Sequence, residues 1–106
     1  MALTGVHVEC GTSIVYGNST LFSSIWSETI AVPGTTTQSA PSGFDGNLVF
    51  RISAPTASEV YVAAGVTPDS TVAVSTGPNN TRAHFAANEL RDITAKPGFK
   101  INVSVA

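Results

Sequence analysis

The sequence predicts an all-β domain: a small antiparallel β-sandwich or jelly-roll-like barrel with an N-terminal arm or extended segment. Three observations carry this expectation. Short runs alternate apolar and polar residues, the period of a strand with one buried face. Turn formers separate these runs roughly every 8 to 12 residues. No stretch carries a long, capped helical stripe. This spacing points to roughly seven to nine strands. The 106 residues suit one domain, of a size that buries about two-thirds of the unfolded chain's surface. No repeat of constant period suggests a solenoid. Within that single domain, residues 1–46 read as N-terminal strands and a polar arm or linker that packs on its own domain or on neighbouring subunits. Residues 47–106 read as the sandwich core.

Taken in order, Val6 to Cys10 and Thr12 to Tyr16 are two β-prone runs separated by Gly11 and closed by Gly17-Asn18. Val6, Val8 and Cys10 alternate with His7 and Glu9, which share the wet face. Thr20 to Val32 is ambiguous. Phe22, Trp26 and Ile30 form an i, i+4 stripe, yet they also share one face of a strand, and the Ser, Thr and β-branched content favours the strand. Trp26, the sole tryptophan, is a core or interface anchor. Pro33-Gly34 closes the element. Thr35 to Gly46 is a polar, turn-rich stretch longer than ordinary connections. It reads either as an arm anchored on a neighbour through Phe44 or as a loop folded back on its own domain.

Asn47 to Gly65 holds the best-patterned pair. Leu48, Phe50 and Ile52 share one face against Val49, Arg51 and Ser53. Pro55 then breaks the chain, and Val60, Val62 and Ala64 resume against Glu59, Tyr61 and Ala63. The pair reads as a hairpin or a tight sheet corner. Beyond it come a strand over Thr71 to Thr76 and a reverse turn at Gly77-Pro78-Asn79-Asn80. Short strands at Ala83 to Phe85 and Leu90 to Thr94 flank Ala86 to Glu89, a segment long enough for one helical turn. After Lys96-Pro97-Gly98 a final strand runs from Phe99 to Val105. The expected core is Leu48, Phe50, Ile52, Val60, Val62, Val72, Val74, Phe99, Ile101 and Val103, with Phe85, Leu90, Ile93 and Trp26 closing its ends.

Composition narrows the function. Only 11% of residues are charged, against about 25% in a typical soluble domain, so Ser, Thr, Asn and Ala cover the surface. Such a surface suits a hydroxyl-rich sandwich or a subunit packed against others. The alternating strands and a mean hydropathy of +0.21 argue against disorder. A net charge of −2 gives no basic face for nucleic acid. No apolar run approaches the roughly 18 residues of a membrane helix. The opening MALTGVHVECG does not read as a secretory signal. The single cysteine, Cys10, has no intrachain partner and reads as a small semi-buried residue.

Catalytic chemistry is not suggested. Serines are plentiful, but His7 and His84 are the only histidines and neither lies in a local motif. His7 and Glu9 at i, i+2 would begin a metal site only if a third ligand such as His84 joined them, and two solvated residues are the simpler reading. No phosphate-binding loop or cysteine cluster is present. The expectation is a non-enzyme with no cofactor and no metal.

The run LVFRISAPTASEVYVAAGVTPD, followed by HFAANELRDITAKPGFKINVSVA, resembles small proteins encoded among the structural genes of tailed bacteriophages. The matching features are Arg51 on a strand, Gly65 with Pro68 after the next strand, and the late Lys96-Pro97-Gly98 turn. This resemblance covers Asn47 to Ala106 and implies a β-sandwich or jelly-roll virion component with no catalytic residue. It leads to the expectation of a capsid decoration, or cement, protein. The partner would be the major capsid protein, the place the virion surface after synthesis in the host cytoplasm, and the state a homo-oligomer, a trimer being one form. Trp26, Phe44, Tyr61, Arg51 and Arg91 are the candidate partner-binding residues. Two competing expectations are a connector, tail or fibre component of the same virion and a carbohydrate-binding sandwich.

Overall fold

A computed structural model describes residues 5–43, 48–71 and 81–106. The alternating runs pair into two four-stranded antiparallel sheets, with no helix among the described residues. The first sheet has the order β2-β1-β4-β7, formed by β1 (Val6–Tyr16), β2 (Ser19–Ile30), β4 (Leu48–Ser53) and β7 (Leu90–Thr94). The second has the order β3-β8-β5-β6, formed by β3 (Gly34–Thr35), β5 (Val60–Gly65), β6 (Thr81–Phe85) and β8 (Lys100–Val105). Between them lies the core: Val6, Val8, Cys10, Phe50 and Ile52 from one side, Val60, Val62, Phe85, Ile101 and Val103 from the other. This is a β-sandwich.

Residues on both sides of position 46 build that core, since β1 lies beside β4 with His7 opposite Ser53 and Thr12 opposite Leu48. The two runs flanking Gly11 form one strand, interrupted only by a shift of register between Cys10 and Gly11. Of the ambiguous Thr20 to Val32, residues 20–30 are strand, as the β-branched and hydroxyl content suggested, and Ala31 and Val32 lie beyond its end.

The pair at 48–65 is a sheet corner, because β4 and β5 belong to different sheets. A second corner, Ala86 to Glu89, carries the chain back from β6 to β7. It is a turn with Asn88 at φ 64°, and no helical turn forms there. The two corners lie side by side, with Ala54 N–H donating to Glu89 O and Asn88 N–H donating to Pro55 O. Within the second corner the Glu89 carboxylate accepts from Ala86 N–H at 2.8 Å.

The opposite side of the sandwich is plugged by residues 35–43, which fold back on their own domain. Buried Thr36 donates its N–H to Ile101 O and accepts from Ile101 N–H through Oγ1. Ala40 bridges the last turn, giving its N–H to Phe99 O and taking the Gly98 N–H. Of the two expectations for this stretch, Thr35 to Gly43 takes the form of the loop folded back on its own domain. These backbone groups find their partners on β8 and the turn before it. Phe44 lies outside the described residues, as do Val72, Val74 and the turn at 77–80.

One expected core residue is displaced. Leu90 is 62% exposed, because β7 pairs Arg91 with buried Ile52 and Ile93 with buried Phe50. Period two then turns Leu90 and Asp92 outward and Arg91 inward. Phe99 is only partly buried, at the margin of the core.

Candidate functional site

Two properties single out one region: it lacks charge and, among the described residues, it lacks lateral support. From Cys10 to Ser27 no residue is charged. This run is the far part of the β1–β2 hairpin. Its tip is the two-residue Gly17-Asn18 loop, with Tyr16 opposite Ser19 and Gly17 at φ 63°, the left-handed start that suits a two-residue hairpin turn. β4 flanks β1 only from His7 to Thr12, so beyond Thr12 no described strand supports the hairpin. The remainder continues as a two-stranded ribbon.

Its register is set by the irregularity at Cys10/Gly11. Trp26 lies opposite Cys10 and Ser24 opposite Gly11, which leaves Ile25 as the extra residue of a β-bulge. Gly11 is required there, because a Cβ would run into the Ser23 carbonyl and meet the Phe22 ring. Past the bulge, alternation places Ile14 opposite Leu21 on the face that lower down forms the core. Nothing covers this pair fully. Ile14 and Leu21 are each 49% exposed, Ile25 41% and Val15 77%. Ile14 and Leu21 share one face and Val15 points to the other, so the uncharged ribbon presents exposed apolar side chains on both faces.

Of the five residues singled out from sequence, Phe44 lies outside the described residues and the other four are not gathered into one site. Trp26 is half-buried, edge-on to Phe50 at 6.3 Å between ring centroids, and its Nε1–H donates to Ser39 O at 3.1 Å. It anchors the 35–43 loop from within. Its neighbour Glu28 does the same through its carboxylate, accepting from Thr37 N–H and Oγ1–H. Arg51 lies on the outer face of the first sheet, paired with both carboxylate oxygens of Asp92 at 2.9 and 3.1 Å and lying over the Phe22 ring. The hydrogen bond to Asp92 raises the guanidinium's pKa above its ordinary value. Tyr61 is on the outer face of the second sheet, with Arg82 stacked 3.6 Å from its ring centroid and His84 edge-on at 5.7 Å. Arg91 lies over Phe85, donates to His84 O at 2.7 Å and reaches Glu89 at 3.4 Å. It helps line a cavity of about 240 Å³ between β6 and β7.

Ile14, Val15, Leu21 and Ile25 were not among the sequence candidates. The signal that could have found them is the eighteen-residue absence of charge around a Gly-Asn turn, which the amino-acid sequence displays on its own.

Reactive chemistry is sparse. Cys10 is buried, and burial pushes its thiol up to about 11, which keeps it protonated and inert at neutral pH. His7 bonds Thr29 Oγ1 on the first sheet and His84 bonds Glu59 on the second, so the two imidazoles cannot share an ion. No trio of His, Cys, Asp or Glu is placed to hold a metal among the described residues. No described helix is long and apolar enough to cross a membrane. No family model, no curated protein and no solved structure matches the chain.

Proposed function

We propose that this chain is a non-enzymatic virion structural subunit, a capsid decoration or cement protein that docks between adjacent major capsid subunits through its β1–β2 ribbon. The observation that carries the reading is the ribbon itself: uncharged, laterally unsupported and studded with Ile14, Val15, Leu21 and Ile25. Apolar groups held on a two-stranded projection contribute little to their own domain but gain by burial against a partner. The resemblance of residues 47–106 to tailed-phage structural proteins supports the same role. Because the partner surface repeats over a shell, a ligand specific for the assembled state stabilises it by mass action, and repeated contacts add avidity.

The two competing roles have less support. Sugar binding needs free aromatic faces, yet among the described side chains Trp26 is edge-on to Phe50 and bonded to Ser39, and Tyr61 carries Arg82 on its ring. A connector or tail role predicts a few copies per particle, often as a ring.

The test is to count copies in gradient-purified particles by quantitative mass spectrometry, and to add purified chain to undecorated shells. Hundreds of copies, together with lost shell binding by an Ile14→Ser/Leu21→Ser variant that remains folded, is the expected result. A handful of copies assigns the chain to a connector or tail, and absence from particles overturns the virion role.

A further inference from the structure

We infer that β2 is a homodimerisation strand: its outer edge, unpaired among the described residues, pairs antiparallel with β2 of a second copy across a two-fold axis at Ser23, joining two first sheets into one. This surface belongs to the same ribbon as the lattice reading but does not depend on the shell.

The four sheet edges are not alike. β7 carries Arg91 and Asp92, β6 carries Arg82 and His84, and β3 is two residues long. Short strands and charged side chains are the devices that keep edges from pairing. β2 is twelve residues long and has neither device. Its one charge, Glu28, is turned onto the 35–43 loop, where it accepts from Thr37 and Gln38 N–H groups. Among the described residues, no backbone group of another segment pairs with the outer edge of β2.

The occupant follows from symmetry. Measured along β1, Leu21 lies opposite Ile14 and Trp26 opposite Cys10, each two positions from Thr12, the partner of Ser23. The bulge at Ile25 makes this possible. Without the extra residue, positions 21 and 26 would face opposite sides; with it they share one. A two-fold axis through Ser23 therefore sets Leu21 beside Trp26 of the second copy, twice over, and sets Thr20 beside Ser27 and Ser19 beside Glu28. The half-exposed Leu21 gains an indole neighbour. Each Glu28 is four ladder positions from the axis, so the two carboxylates lie about 27 Å apart at ~3.4 Å per residue, beyond the screening length of roughly 8–10 Å. Phe22 falls beside Ser24 of the second copy, so the apolar match is the single Leu21–Trp26 pair, which the two-fold axis makes twice. The charged β7 edges at the two outer ends stop further growth, which keeps the assembly a closed pair.

The experiment is sedimentation equilibrium of the purified full chain, without shells. The wild type is expected to form a dimer that dissociates on dilution. Ser23→Lys and Ser23→Glu each set like charges face to face on the axis and should weaken dimerisation more than about tenfold, with circular dichroism and melting unchanged at low concentration because Ser23 is exposed. An equimolar mixture of the two variants should restore the dimer. A wild type that stays monomeric at several hundred micromolar, Ser23→Lys dimerising as tightly as wild type, or a mixture that fails to recover would each overturn the proposal. Shell binding plays no part in these readouts, so failure of the dimer and failure of the decoration role are seen separately.

Discussion

The two halves of the β1–β2 hairpin have nearly the same apolar content and opposite fates. Below the Cys10/Gly11 bulge, Val6, Val8, Cys10 and Ile30 are buried and Trp26 packs on Phe50. Above it, Ile14 and Leu21, on the same face, are each 49% exposed. Both halves obey the same two-residue period. The difference is what lies across from them: β4 beside the lower half, with the second sheet and the 35–43 loop over it, and no described strand beside the upper half. Burial is thus a property of the tertiary neighbourhood, which the local pattern allows but does not decide.

The sharpest way to break this comparison is to empty the lower half. Phe50 on β4 is fully buried beside Cys10 and edge-on to Trp26, so Phe50→Ala should cost about 3–5 kcal/mol in urea unfolding. That is a large part of a total stability of roughly 5–15 kcal/mol. A loss under about 1 kcal/mol would mean that the lower half is not the structural one.

The second effect is a pH dependence. Burial raises the Cys10 thiol from 9.0 to about 11, so the folded state favours the protonated form. The associated stability is fully present below about pH 9 and is lost as pH rises toward 11. Two pH units correspond to about 2–3 kcal/mol. Melts of wild type and Cys10→Ala across pH 8 to 11 should converge at the alkaline end, and parallel curves would refute the assignment. A thiol in the upper half would give no such term.

How much of this was legible in the sequence follows the same division. Alternation in Leu48-Phe50-Ile52 and Ile101-Val103 identified core faces correctly, because strands buried on one side carry their own record of it. Leu90 misled, since a five-residue strand with both Leu90 and Ile93 apolar fits either parity, and only pairing with β4 fixes which one faces inward. The corner at 54–59 was readable as a break but not as a change of sheet, because the sheet a strand joins is decided by non-local partners. Trp26, Arg51, Tyr61 and Arg91 drew notice as chemically prominent side chains, and each is engaged by a neighbour within the domain. The ribbon was marked only by absence of charge, a weaker signal than any residue.

The third effect concerns the plug that covers the lower half. Thr36→Val removes the Oγ1 that accepts from Ile101 N–H and donates to Gln38 O, at a buried position. Leaving these groups unpaired should cost about 1–3 kcal/mol. Faster amide exchange at Ile101 would localise the damage, and unchanged protection there would exclude the hydrogen bond as the cause.

The smallest effect is the most informative about the upper half. Val15 is 77% exposed near the ribbon tip, so Val15→Thr swaps a methyl for a hydroxyl in a side chain that is already wet. Stability at low concentration should change by less than about 0.5 kcal/mol, read by the same urea titration that registers Phe50→Ala. The same substitution within the lower half, Val8→Thr, buries a hydroxyl among apolar neighbours and should cost about 1–3 kcal/mol. Val8 faces the core and Val15 the outer face of one strand, so one chemical change at both measures how far burial sets its cost. If Val15→Thr costs as much as Val8→Thr, the ribbon is packed against its own domain and cannot present its apolar side chains to a partner. If the two differ as expected, the apolar residues above the bulge contribute little to folding, which leaves their burial available to assembly.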